Sequence, residues 1–425
     1  MLTQPSPASQ VSEPAIATYD VVIVGGGIVG LTVACGLRGS GLRVAVLEAL
    51  PHGSAARRTQ AYAFSLTSAQ IFRGLGLWDT VRSQVEPFRK IRLSDGDWPD
   101  VVTFEPSDAG EPEDLGYVAE HTVLMEALQQ AVDAASDVNW IGPAIAEEVS
   151  YGEEWAQISV KALEEANKTH QDIPETIRAR LVIGADGARS PMREGAEIAT
   201  DGWGYWQSCI VAAVRPEKHH ENTAYERFQR SGPFAILPLR DTCRIVWTAP
   251  HEEAKAMLAL DEKSFLRELS QRFGDQMGQL ELVGDRRIFS VRLMQSKCYV
   301  ASRLALVGEA AHNCHPVGGQ GLNLGIRDGA ALAEILVAAH QRGDDLGAIA
   351  TLRPYDRQRR WGNLVILGFT DVLDRVFSNQ WLPVMVIRRM GLFVMQRVGP
   401  VKQLAIRLMT GKWGSIPQLT PPPQK

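Results

Sequence analysis

The 425-residue chain has no run of 18 apolar residues, which excludes a helix able to span a bilayer and leads us to expect a soluble protein. Cysteine is scarce: five residues, at 35, 209, 243, 298 and 314, odd in number and without a Cys-x-x-Cys pair. That excludes a disulfide framework and a structural zinc site and suits a reducing, cytoplasmic setting. The first eighteen residues hold no Lys or Arg, so neither a secretory signal nor a mitochondrial presequence is expected. With Pro5, Pro7 and Pro14 among Ser and Gln, residues 1–17 read as a disordered leader. No Gly-x-Ser-x-Gly segment occurs, so a hydrolase nucleophile has no foothold. Basic residues number 44 against 49 acidic, a net charge of −5, which argues against nucleic acid as a partner.

What is present is ordinary globular composition, 45% hydrophobic and 22% charged, over a length that favours more than one core. Tyr19–Val24 is a short apolar run ending in glycines, Ile28–Arg38 reads as a helix, and Arg43–Leu47 as a second buried strand: a βαβ unit. Helices are expected near 68–76, 123–135 and 325–340, and buried strands at 179–183 and 304–307. Residues 95–116 read as loop. Between Gly202 and Pro250 the texture turns β-branched and aromatic, broken by turn residues, as in a mostly antiparallel sheet. From Tyr355 onward the pattern is successive helices, with breaks expected at Pro383, Gly391 and Pro400.

Gly25-Gly26-Gly27-Ile28-Val29-Gly30 places Gly-x-Gly-x-x-Gly between a strand and a helix. Gly25 permits the tight turn, Gly27 lets a pyrophosphate approach the backbone, and Gly30 allows close packing of helix on strand. The amides that open the helix, among them those of Ile28 and Val29, offer donors and a partial positive charge to phosphate. Glu48, at the end of the second strand, is placed to accept from a ribose, and its charge disfavours a 2′-phosphate there. This loop alone leaves FAD and NAD both open.

Two later segments narrow the choice. Ile183-Gly184-Ala185-Asp186-Gly187 follows a buried strand. Gly308-Glu309-Ala310-Ala311-His312 precedes His315-Pro316-Val317-Gly318-Gly319-Gln320-Gly321-Leu322-Asn323-Leu324-Gly325, which closes with Asp328. Four glycines around a proline, leading into an Ala-rich helix, present backbone amides suited to the anionic N1/O2 edge of a reduced flavin. His312 and His315 suggest a metal by spacing, but no third or fourth ligand accompanies them, so no metal site is expected; His315 reads as fixing the loop. Cys314 reads as a small buried residue rather than a covalent flavin tether.

Taken in order, these segments resemble the class A flavoprotein monooxygenases, whose fold is similar to that of p-hydroxybenzoate hydroxylase. His315 to Asp328 is similar to the signature of the ubiquinone-biosynthesis hydroxylase family of UbiH/VisC type, matching at the His-Pro, Gly-Gln-Gly, Asn, Gly and Asp positions. Gly116-Tyr117-Val118-Ala119-Glu120, Tyr225-Glu226-Arg227-Phe228, Gly232-Pro233, Leu237-Pro238-Leu239 and Val376-Phe377-Ser378 extend the likeness over nearly everything after residue 18. Two positions depart from the family pattern: Glu309 stands where Asp is usual, and Gln60 where an Arg is usual, with Arg57 and Arg58 close by.

The resemblance implies an α/β fold: a Rossmann-like FAD-binding domain (18–90, 116–195 and 285–350) interleaved with a mixed β-sheet substrate domain (91–115 and 196–284), followed by C-terminal helices (351–425). It implies non-covalent FAD, with Gly25, Gly27, Ile28, Val29, Gly30 and Glu48 at the AMP half. Asp186 and Gly187 would serve FAD and the visiting NADH or NADPH. Gly308 and Glu309 would hold the ribityl side, and Pro316, Gly319, Gln320, Gly321, Leu322 and Asn323 would lie along the isoalloxazine. The implied activity is NAD(P)H- and O2-dependent hydroxylation of a prenylated phenol or quinol of ubiquinone or plastoquinone biosynthesis, via a flavin C4a-hydroperoxide. No catalytic side chain is assigned. A flavin-dependent isoprenoid reductase and a non-catalytic flavoprotein scaffold of a quinone-synthesis complex are the alternatives.

From Val376 to Lys425 acidic residues are absent, while Arg388, Arg389, Arg397, Lys402, Arg407, Lys412 and Lys425 give the tail +7. Interleaved with Val384, Met385, Val386, Leu392, Phe393, Val394 and Met395, these cations fit either a solvated cap or a helix lying on an anionic membrane. A polyprenyl substrate favours peripheral attachment to the membrane's inner face. Trp203, Tyr205, Trp206 and Trp247 read as core of the sheet domain.

Overall fold

In the computed structural model, residues 16–54, 56, 60–96, 101–111, 113–166, 173–412, 416, 417 and 419 are described. Almost all of the expected leader, and Arg57 and Arg58, lie outside them. Strand Ala17–Val24 sits mid-sheet, with Thr176–Gly184 and then Leu304–Leu306 on one side and Val44–Leu47 and then Val138–Ile141 on the other, all pairing parallel. A strand buried on both faces carries apolar residues without alternation, which is why Val21, Val22, Ile23 and the run Val44–Leu47 are fully enclosed. Ala144–Tyr151 and Ala156–Ala162 extend this sheet antiparallel. Helix Ile28–Leu37 packs against Gln320–Arg342 closely enough that a Cβ on Gly36 would lie 2.6 Å from Ala333 Cβ, so the Ala-rich composition of the later helix is a packing requirement.

The second sheet runs His312–Asn313, Leu280–Ser296, Thr200–Pro216, Thr242–Pro250, Gly232–Leu239, Thr223–Gln229, Lys90–Asp95 and Val101–Phe104. Its pairs are antiparallel except Thr223–Gln229 with Lys90–Asp95, so the sheet is mixed. One face buries Phe234, Ile236, Ile245 and Trp247 against Phe265, Leu269 and Phe273 of helix Glu262–Phe273. Its other face carries Ala224, Ala235, Leu237 and Val246 and turns toward the Pro316 loop. A small sheet of Ala61–Ser65, Gly116–Glu120 and Glu86–Phe88 lies beside them.

Several expectations are corrected. Residues 95–116 contain strand Val101–Phe104 and the short helix Pro106–Ala109; proline and acid density disguised an edge strand whose Val102 and Phe104 face the core. The expected boundary at 284/285 falls inside strand Leu280–Ser296, which stays in the second sheet throughout; its first half, partly exposed and interrupted by Gly284 and Asp285, gives no sequence signal of continuity. Gly391 does not end a helix: Leu382–Arg397 runs through it, since an interior glycine costs only about 1 kcal/mol. Pro383 and Pro400 do sit at helix starts, where proline is tolerated. Trp247 is core and Tyr205 is buried, but Trp203 and Trp206 are 44% and 51% exposed. Among the described residues, no helix is long and apolar enough to cross a membrane.

Candidate active site

Parallel pairing brings the glycine segments together at the carboxyl ends of three adjacent strands, the place where open α/β sheets bind nucleotides. Val24 is in register with Gly184, and Gly184 with Leu306, so each strand ends in one of the segments. Gly25 (φ +109°) leans on the Ala185 carbonyl where any side chain would collide. Gly30 is pressed between the Gly25 carbonyl and the Ala185 methyl. Gly27 instead starts helix Ile28–Leu37 in extended conformation, with nothing within 4 Å of where its Cβ would be. Glu48 is tied to the loop itself: Gly26 N–H donates to its Oε2 at 2.6 Å and Leu50 N–H to its Oε1 at 2.9 Å.

Asp186 Oδ2 accepts from Met192 N–H at 3.0 Å, at the start of helix Pro191–Gly195. Burial raises its carboxyl above the usual carboxylate range, opposed by Ser190 and that amide. Gly187 (φ +82°) also faces open space. Gly308 comes so close to the first helix that a Cβ there would sit 3.1 Å from Val29 Cγ1, and one on Gly325 only 2.6 Å from Val29 Cγ2. Glu309 points outward from this turn, and desolvation by the surrounding protein still holds its carboxyl above the ordinary value. Ile28 is buried beneath the loop.

The third segment is held by side chains the sequence places on it. His315 is fully buried; Val317 N–H donates to its Nδ1 at 3.4 Å, and its Nε2 lies 3.3 Å from Gln207 Oε1 and 3.5 Å from Asp374 Oδ1. Burial pushes the imidazole down to about 3 and Asp374 up to about 6. Asn323 makes four bonds: Oδ1 accepts from Ser65 N–H (2.9 Å) and Ser68 Oγ–H (2.7 Å), and Nδ2 donates to the Ala63 and Gly319 carbonyls, both at 2.8 Å. Gln320 Nε2 donates to Gly318 O and to Met409 O, tying the loop to the C-terminal helices. The side chains of Asn323 and Gln320 therefore position the loop. Leu322 packs on the main core, and Gly321 lies beside Cys314, whose thiol burial pushes up to about 12. His312 Nε2 meets Asp328 Oδ2 at 2.5 Å.

Facing Pro316, Gly318 and Gly319 is a largely apolar cavity of about 80 Å3 that opens toward the second sheet. Ile91, Ala224, Ala235, Leu237 and Val246 form its floor, and Met409 and Thr410 close one side. In this apolar lining sits Glu226, buried, its Oε1 without a hydrogen-bond partner, its carboxyl pushed by desolvation up to about 8. Its segment, Tyr225-Glu226-Arg227-Phe228, carries part of the family likeness, with no role implied for Glu226 by the sequence alone. The available signal was its phase: Ala224, Glu226 and Phe228 alternate inward on one strand, and only one of them is charged.

These residues fit FAD. Gly27 leaves bare backbone and free space at the N-terminus of helix Ile28–Leu37, where phosphate binds, Gly187 faces open space beside it in the turn after Gly184, and the glycine-rich turn at Pro316 opens onto an apolar cavity. Fold and site together define a flavin-dependent aromatic monooxygenase. A model of the FAD binding domain family matches residues 18–361. An uncharacterized protein of Synechocystis sp. is 48% identical over 402 residues, 94% of this chain and 95% of its own. Ubiquinone hydroxylase UbiL of Rhodospirillum rubrum is 39% identical over 413 residues (96% and 93%), and 3-demethoxyubiquinol 3-hydroxylase of Escherichia coli 32% over 399 (92% and 98%). In fold, p-nitrophenol 4-monooxygenase PnpA of Pseudomonas putida superposes with a TM-score of 0.76 at 20% identity, over 93% of this chain and 99% of that one. The chain belongs to the FAD-binding class A monooxygenases, in the branch of the ubiquinone-biosynthesis hydroxylases.

Proposed function

We propose that the chain hydroxylates the aromatic ring of a prenylated phenol or quinol of ubiquinone or plastoquinone biosynthesis, using NAD(P)H and O2. The observation that carries this reading is the apolar cavity set against the Pro316–Gly319 turn. In this reading the first sheet and its helices bind FAD, and the second sheet supplies the substrate floor. The loop 25–30 with Glu48 takes the AMP half, Asp186, Gly187, Gly308 and Glu309 the middle, and backbone from Pro316 to Asn323 the flavin ring. Bound FAD supplies the redox chemistry, taking reducing equivalents from NAD(P)H and activating O2 for transfer of one oxygen atom to an electron-rich ring. The chain's own work is to orient the ring, exclude water with Leu237, Val246 and Met409, and present amide donors where negative charge develops. The test is anaerobic reduction of the FAD-loaded protein by NADH or NADPH with a prenylphenol present, followed by labelled O2. Product carrying one labelled oxygen is expected; reduced double bonds and no label would support an isoprenoid reductase instead.

Attachment to a membrane surface is the second part of the proposal, and its support shifts from charge to apolar area. Of the tail's cations, Arg388 pairs with Asp95 at 2.8 Å, Arg389 with Asp95 at 3.2 Å, Lys402 with Asp108 at 2.7 Å, and Lys412 with Glu111. Helix Leu382–Arg397 nevertheless turns Leu382, Val386, Ile387, Met390, Phe393 and Val394 to solvent at helical spacing, with Trp381 70% exposed before it. Arg397, over the Phe393 ring at 3.6 Å, and exposed Arg407 remain for anionic headgroups. Replacing Ile387 and Met390 together by Glu should reduce co-sedimentation with anionic vesicles at least about tenfold, since each buried apolar side chain contributes ~1.5–3 kcal/mol. FAD content should stay at the wild-type level; equal sedimentation would remove this face from the reading.

A further inference from the structure

Glu226 is the one carboxyl group among the described residues lining the cavity. It sits mid-strand on Thr223–Gln229, in register with Ala235 on one side and Leu93 on the other, with Val246 one strand beyond. Nothing in this setting answers its charge. Of its chain neighbours, Tyr225 also borders the cavity but turns its ring edge-on to Phe273 on the opposite face, and Arg227 Nη1 donates to the Arg272 and Phe273 carbonyls. Arg244, in phase with Val246 on the strand one beyond, donates to Glu120 at 2.8 Å. Asp95 is held by Arg388 and Arg389, His315 faces Gln207 and Asp374, and Thr410 Oγ–H donates to Ile406 O. Cys209 keeps its proton, its thiol pushed up to about 12 by burial.

A buried carboxyl with an unpartnered oxygen costs about 1–3 kcal/mol, more when charged. A fold keeps such a group where a ligand completes it, and buried acids with raised pKa values gather at such sites. Resting on the hydroxylase reading, we propose that Glu226 receives the ring hydroxyl of the substrate and takes its proton. The phenolic O–H bond breaks, a new O–H bond forms on Glu226, and the negative charge passes to the ring oxygen. No electrons are gained or lost; the ring becomes a better nucleophile for the oxygen it is about to accept. The same contact makes Glu226 selective: an O-methylated ring has no donor for Oε1 and leaves it buried and unpaired.

The test compares full-length, FAD-loaded wild type with Glu226→Gln, which is isosteric, and Glu226→Asp, which keeps the acid one methylene shorter. A short-chain prenylphenol is the substrate, and hydroxylated product per NAD(P)H consumed is followed from about pH 6 to pH 9. Because the basic form is required, wild-type kcat/KM should rise with pH through the raised value near 8. Glu226→Gln should bind FAD as wild type does, lose ~10²–10⁴-fold in kcat/KM and lose that pH dependence. Glu226→Asp should recover the pH-dependent limb at a lower rate. Wild-type turnover matched by the Gln variant with an unchanged pH profile overturns the assignment to Glu226 alone. Wild-type protein that binds FAD but hydroxylates no phenol overturns the hydroxylase reading, and the assignment with it.

Discussion

Gly27→Ala should yield a folded protein that no longer holds FAD. Gly27 has φ −76° and ψ −180°, a conformation open to alanine, and no atom lies within 4 Å of the added methyl. The protein alone therefore has no objection to the change. The free space in front of Gly27 lies at the amino end of helix Ile28–Leu37, where the pyrophosphate must approach the backbone, and a methyl group occupies it. Unfolding by urea should match wild type, while FAD affinity falls at least about tenfold, ~1.4 kcal/mol. Gly30→Ala is the contrasting variant: its methyl would collide with the Gly25 carbonyl, so stability and flavin should be lost together. Flavin retained at wild-type affinity in Gly27→Ala would mean that the phosphates lie elsewhere.

Asp328→Asn should be strongly destabilising. Asp328 is fully buried and joins three elements: Gly308 N–H, His312, Arg359 Nε at 2.8 Å and Asn363 Nδ2 at 3.0 Å all bond to it. Removing its charge leaves the buried Arg359 guanidinium uncompensated, which costs ~3–5 kcal/mol. The midpoint of urea unfolding should fall accordingly with unchanged slope. The pH dependence has a definite sign. Burial alone would raise the Asp328 pKa; His312 and Arg359 outweigh it and hold the group at about 2, below the ordinary 3.8. Its stabilisation is thus complete above about pH 4 and lost as pH falls through about 2. The Asn variant should lack that part of the acid limb.

The sequence made the nucleotide-binding half legible because its signals are local. Buried parallel strands are unbroken apolar runs, and the glycines of 25–30 and 316–325 follow them within a few residues. What escaped reading was what depends on distant partners. Arg359 and Asn363, on a helix whose charges look solvated, turn inward only because Asp328 waits there. From sequence the tail cations fit a solvated cap or a membrane-facing helix, yet Asp95, Asp108 and Glu111, nearly 300 residues earlier in the chain, pair with four of them. Gln320 and Asn323 stand in the flavin segment, but their side chains are spent on Met409, Ser65 and Ala63, contacts no spacing rule reports. Glu226 was visible only as one letter of a familiar motif until the cavity gave it a setting.

The loop that presents the flavin turn and the helices that carry the exposed apolar face are bonded through one amide, Gln320 Nε2 to Met409 O, and Met409 also walls the cavity. Helix Gly399–Met409 follows Leu382–Arg397 after the single residue Val398, so a tilt of the outer helix has little slack to absorb it. A tilt of the outer helix is therefore expected to shift Met409 and the cavity wall it shares with Thr410. Under the proposed membrane attachment, docking that helix on a bilayer would change the shape of the cavity, and the substrate KM measured with and without anionic vesicles should differ.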